Sequence, residues 1–73
     1  MASQIVMDHT GDTRHQFEAS DAEALSKAEE RFRLLTNSGF TAAVRTSSGD
    51  VALTRVFDST AEETLFYPRL VGG

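Results

Sequence analysis

The sequence predicts a small α+β domain, a single mixed sheet with one helix lying across one face. Three observations predict it. The stretch 21–37 carries apolar residues at helical spacing between a capping signal and a glycine. Five other stretches are short, rich in β-formers, and separated by Gly, Asp, Ser and Thr. The resulting order, ββαββ, a short turn, then β, gives one helix to cover one sheet and leaves the other face open.

Gln4-Ile5-Val6-Met7-Asp8-His9 reads as the first strand, and Thr10-Gly11-Asp12-Thr13 as the turn after it. Arg14-His15-Gln16-Phe17-Glu18 has Phe17 as its one strongly apolar member, so it is placed at a sheet edge as the second strand. Gly11 supplies the positive φ the turn needs, and Asp8 and Asp12 are assigned as turn formers rather than catalytic acids. Ser20-Asp21-Ala22-Glu23 has the form of a capping box with the serine hydroxyl as cap, opening a helix at about 21 to 37. Leu25, Ala28, Phe32 and Leu35 form its apolar stripe, and Lys27, Glu29, Glu30, Arg31 and Arg33 fall around the solvent side. Gly39 suits the left-handed position that ends the helix, with Phe40 closing over Leu35.

Phe40–Arg45 and Val51–Phe57 form a second hairpin, 58–63 is expected to make a single helical turn, and the last strand is Thr64 to about Tyr67. Pro68 lacks a ladder amide and is expected to end it, giving a domain over 1–67 and a flexible tail over 68–73. The first and last strands, the most apolar, are the natural central pair. This is the β-grasp arrangement. If Leu65 and Tyr67 point toward the helix, alternation turns Phe66 and Pro68 onto the open face as a partner surface.

Composition limits the functions available. Seventy-three residues make one modest core, and the chain has no cysteine, which removes disulfides, thiolate metal sites and a cysteine nucleophile. A net charge of -4 argues against nucleic acid as a partner. No apolar run approaches the ~20 residues that span a bilayer, and the N-terminus has no signal-peptide pattern, so a cytoplasmic protein that leaves membranes alone is expected. His9 and His15 could approach each other across the first hairpin, but without a third ligand they do not make a metal site. No Ser/His/Asp set lies in a nucleophile motif, so the chain is expected to be no enzyme and to need no cofactor.

The chemistry lies in the tail, Arg69-Leu70-Val71-Gly72-Gly73. Two glycines lie extended in a narrow channel without a Cβ to clash, and a carboxylate displayed there can be activated as an acyl group. At ~7% background glycine, a chance Gly-Gly at that place has a probability of about 0.5%, so the upstream pattern must carry the reading.

With Gln4-Ile5 opening an apolar strand, the Thr10-Gly11-Asp12-Thr13 turn, Ser20-Asp21 starting a helix that carries Lys27, and Thr64-Leu65 leading to the diglycine tail, the chain resembles ubiquitin and its bacterial ubiquitin-like relatives. The resemblance implies a protein modifier. Its Gly73 carboxylate would be adenylated and conjugated to a target protein, Gly72 would enter the enzyme channel, and Arg69, Leu70 and Val71 would be read by the activating enzyme. Implied partners are an adenylating enzyme, a conjugating enzyme and a processing protease. Lys27, the one lysine, is the possible acceptor if copies are joined. Val71 stands where ubiquitin has a basic residue, and Pro68 interrupts a strand ubiquitin continues, which implies a dedicated activating enzyme. The chain is also similar to the diglycine sulfur carriers of thiamine and molybdopterin synthesis, in which the same carboxylate becomes a thiocarboxylate. A third possibility, of another class, is an interaction module with inert terminal glycines.

Overall fold

A computed structural model describes residues 1–45 and 48–68. Five strands and one helix follow in the order β1 (Ala2–Asp8), β2 (Gly11–Phe17), α1 (Ala22–Asn37), β3 (Phe40–Arg45), β4 (Val51–Thr54) and β5 (Glu63–Pro68). They make one mixed sheet in the order β2-β1-β5-β3-β4. The expected pairing of first and last strands holds: β1 and β5 run parallel, with Ile5 opposite Leu65 and Val6 opposite Phe66. The polar β2 lies at one edge, antiparallel to β1, and the β3–β4 hairpin completes the other side, with β3 antiparallel to β5.

The hairpin turn uses the predicted glycine. Gly11 has φ 125, and the Asp8 carboxylate accepts from the Thr10 amide at 2.8 Å and from its hydroxyl, so Asp8 acts as a turn former. The helix start differs from expectation. Asp21, not Ser20, is the cap, its carboxylate accepting from the amides of Glu23 and Ala24 at 3.0 and 3.3 Å. A carboxylate beside the positive end of the helix is favoured electrostatically, which a neutral hydroxyl one residue earlier cannot match. At the other end Gly39, with φ 100, donates to the Thr36 carbonyl at 3.3 Å. Leu35 and Phe40 both pack against the core.

Two further elements are corrected. β4 stops at Thr54, three residues before the expected end, where the Thr54 hydroxyl donates to the Val56 carbonyl at 2.7 Å and turns the chain out of the sheet. No helical turn forms at 58–63. Asp58 accepts from the Thr60 amide and hydroxyl at 2.9 and 2.6 Å and Ala61 donates to the Asp58 carbonyl at 3.2 Å, closing one reverse turn that has no room to propagate before β5 begins at Glu63.

The core lies between α1 and the sheet centre. Phe66, fully buried, meets Phe32 edge-on with ring centroids 5.7 Å apart, and Ala42 completes the cluster. Phe57, from the loop after β4, stacks on Phe32 in the same geometry at 5.9 Å. Burying a phenylalanine fully contributes roughly 1.5–3 kcal/mol, and each edge-on ring pair about 0.5–1.5 kcal/mol more.

Beside this cluster sits a polar contact that the sequence pattern did not announce. Gln4 is completely buried. Its amide nitrogen donates to the Ala28 carbonyl at 2.9 Å, and its amide oxygen accepts from the Arg31 guanidinium at 2.8 Å. Arg31, expected on the solvent side, is therefore half-buried and ties α1 to β1.

Phe66→Ala is expected to cost about 3–5 kcal/mol by opening a cavity under α1, a fall in Tm of more than about 12 °C in a thermal melt followed by circular dichroism. Gln4→Leu keeps the volume but deprives Ala28 and Arg31 of their partner. A loss of about 1–3 kcal/mol in urea denaturation is expected.

Candidate functional site

Strand alternation assigns every side chain of the sheet to a face, and Phe66 fixes which is which. Phe66 packs on Phe32, so Thr64 and Phe66 of β5, Gln4 and Val6 of β1, and Ala42 and Val44 of β3 point to the helix. Leu65 and Tyr67 point to the open face. This reverses the expectation for β5: Phe66 belongs to the core, not to a partner surface. The cause is parity, because three consecutive apolar side chains, Leu65, Phe66 and Tyr67, fit either face and the sequence alone does not choose. Pro68 is exposed, but it lies within β5 opposite Phe40 rather than beyond the strand. No ladder amide is needed from it at this last position.

On the open face the register lines up Arg14, Ile5, Leu65, Ala43 and Leu53 in one row across all five strands. Ile5 and Ala43 are buried within the row, Leu65 is half-buried, and Leu53 at its end is 72% exposed. Tyr67 stands beside Thr41 in the neighbouring row. On the other side of the apolar row, Arg45 and Glu63 face each other across β3 and β5, with Nε 3.5 Å from a carboxylate oxygen. The open face is thus an apolar band with a charged margin.

Lys27 is on the outer surface of α1, its side chain 71% exposed and its ammonium 4.0 Å from Glu23. A pair so exposed contributes at most about 0.5 kcal/mol and leaves the amine accessible. Arg69, Leu70, Val71, Gly72 and Gly73, the conjugation and recognition residues named from the sequence, lie outside the described residues, and of the flexible tail expected over 68–73 only Pro68 is described, as the last residue of β5.

The titratable groups with shifted pKa values have local causes. Asp8 and Asp58 are held below their ordinary value chiefly by the hydroxyls of Thr10 and Thr60 and then by the amides of the same residues. His15, opposite Gln4 on the helix side of β2, is lowered by burial and secondarily by the Arg31 guanidinium. His9 is exposed in the turn, and among the described residues no group of three or more His, Asp or Glu is placed to hold a metal ion. An open cleft of about 490 Å³ lies between the end of α1 and the β3–β4 edge, lined by Thr36, Phe40, Leu53, Thr54 and Arg55 among others. It gathers no set of catalytic groups. Among the described residues no helix is long and apolar enough to cross a membrane.

With known proteins, no family model matches the chain, and neither does any curated protein or solved structure. The arrangement therefore speaks through its own geometry: a central strand carrying the chain toward the diglycine, flanked on one face by the core and on the other by the apolar row.

The position of His15 sets a pH dependence. Because its folded pKa lies below the ordinary 6.5, the unfolded chain takes up the proton first as pH falls. The His15 contribution is complete above that value and is lost as pH falls through the lowered folded pKa. His15→Gln is expected to flatten the decline of Tm between about pH 7 and pH 5 relative to the parent chain, measured by scanning calorimetry.

Proposed function

We propose that the chain is a ubiquitin-like modifier of the β-grasp type, whose C-terminal glycine carboxylate is activated by a partner enzyme and transferred to a target protein. The observation that carries this reading is the place of β5. It is the middle strand of the sheet, parallel to β1 and antiparallel to β3, and the short segment that follows it leads to Gly72-Gly73. A strand anchored on both sides is a rigid base from which a segment ending in two glycines can reach into another protein's channel.

In this reading the Gly73 carboxylate attacks the α-phosphate of ATP, giving an acyl adenylate and releasing pyrophosphate. A thiolate of the partner enzyme then displaces AMP to form a thioester, and an amine of the target displaces the thiolate to form an amide. Gly72 admits the segment to the channel, Arg69, Leu70 and Val71 are its recognition residues, and a processing protease exposes or releases the terminus. Leu65 and Tyr67, in place of Phe66, are the side chains of β5 that an approaching enzyme can touch. Lys27 is exposed enough to serve as an acceptor between copies.

The sulfur-carrier reading shares the adenylate and differs in the next nucleophile. It is favoured by Val71, which puts an apolar residue directly before the diglycine. Intact-mass spectrometry after incubation with ATP and a candidate adenylating enzyme separates the two. A modifier yields an adduct on a second protein, and a carrier gains one sulfur for one oxygen. Deletion of Gly73 is expected to abolish either product while leaving the Tm within about 1 °C, since glycine has no side chain to bury. Unchanged transfer by the deleted chain, or no mass change in the parent chain with any candidate enzyme, would refute the proposal.

A further inference from the structure

The two edges of the sheet differ in a way that bears on association. An unpaired edge exposes a row of backbone donors and acceptors, and proteins normally guard it with charge, proline or a bulge. β2 is guarded, carrying Asp12, Arg14 and His15 within Gly11–Phe17. β4 is Val51-Ala52-Leu53-Thr54, with no charge and no proline, and among the described residues it pairs only with β3. Its two large side chains, Val51 and Leu53, both lie on the open face and are 52% and 72% exposed. Leu53 ends the apolar row that begins at Ile5, so the row stops at a free edge.

We propose that β4 pairs antiparallel with β4 of a second copy of this chain, joining two sheets into one of ten strands. The sequence around the strand selects that partner. Asp50 stands at its N-terminal end and Arg55 at its C-terminal end. An antiparallel copy centred on Ala52 brings Asp50 of each strand opposite Thr54, one residue from Arg55 of the other, whereas a parallel copy in register would set Asp50 beside Asp50. A two-fold axis perpendicular to the sheet keeps each face on its own side, so directly opposed residues must share a face. Centred on Ala52, the pairing puts Val51 opposite Leu53 of the second copy and Leu53 opposite its Val51. Leu53 at the end of the apolar row then packs against Val51, the outer member of the row of Arg45 and Glu63 in the second copy, and both helices lie on the same side. Centred on Leu53, it would instead set Val51 against Arg55, which favours the Ala52 register.

A junction of four residues on each side buries less than the ~1,200 Å² of a standard interface, so a Kd on the order of 0.1–1 mM is expected. Two measurements test it. In sedimentation equilibrium up to about 1 mM, the parent chain is expected to show a monomer–dimer equilibrium. Val51→Lys with Leu53→Lys, which faces lysines with lysines across the junction, is expected to weaken it by about tenfold or more. The exposure of both side chains keeps that variant folded, a point checked by circular dichroism. Independently, the cysteine-free chain takes a single thiol at Ala52→Cys or, on the opposite edge, at the exposed Thr13→Cys. With dissolved oxygen and a copper catalyst accepting the two electrons and two protons of the paired thiols, Ala52→Cys is expected to form disulfide dimer about tenfold faster. A chain that stays monomeric to the highest concentration overturns the proposal and leaves the edge to a strand of different sequence. Equal cross-linking at the two edges overturns it as well.

Discussion

Phe66 is the residue on which the structure depends. It sits on the strand where the parallel ladder to β1 and the antiparallel ladder to β3 meet, and its ring is pressed edge-on against Phe32 of the one helix. Those three connections hold both hairpins and the helix to a single point. Ala28 and Ala42 let α1 approach the sheet closely, and Val6, Leu35, Phe40 and Phe57 pack around the ring pair at partial burial. In a chain of 73 residues, whose whole stability is on the order of 4–11 kcal/mol, one ring accounts for a large part of what keeps the fold closed.

The face of the sheet away from the helix follows from the same residue. Once Phe66 is committed to the core, Leu65 and Tyr67 must look outward, and the register carries an apolar row from Ile5 to Leu53. The core and the candidate partner surface are therefore two sides of one strand. A side chain cannot be moved from one to the other without shifting the register of β5 against two neighbours at once. In the proposed modifier, this would keep β5 itself, as far as Pro68, at a fixed height and direction relative to any enzyme docked on the sheet.

Much of the fold was legible in the sequence because it rests on signals with a period or a unique residue type. The Leu25, Ala28, Phe32, Leu35 stripe marks a helix face, Gly11 and Gly39 mark positive φ, and the polar content of Arg14–Glu18 marks an edge. What was not legible turned on absolute choices between equal alternatives. Strand alternation says that Phe66 opposes Leu65 and Tyr67 but not which side has the helix. Gln4 opens a strand of β-formers with no local sign of its burial, since nothing nearby in sequence tells of an arginine 27 residues later that donates to its side chain. Asp58 followed by two glutamates reads as a capped helical turn, and Asp58 does cap a single reverse turn, but β5 begins at Glu63 before a helix can propagate. For the candidate site, the proposed glycine chemistry rests on residue type alone, while the open face of the sheet needed the parity of β5.

The strand order also has a consequence for how the chain assembles. β5 is the last strand in sequence and the middle one in space, so the β1–β2 and β3–β4 hairpins have no contact through the sheet until it inserts between them. Each hairpin alone is at best marginally stable in water. The early hairpins and the helix must therefore wait, loosely structured and with inner edges unpaired, for the strand that is made after the other four. Closure is then a single long-range event linking residues near position 5 to residues near position 65, and topologies dominated by such non-local contacts fold more slowly than their size alone would suggest.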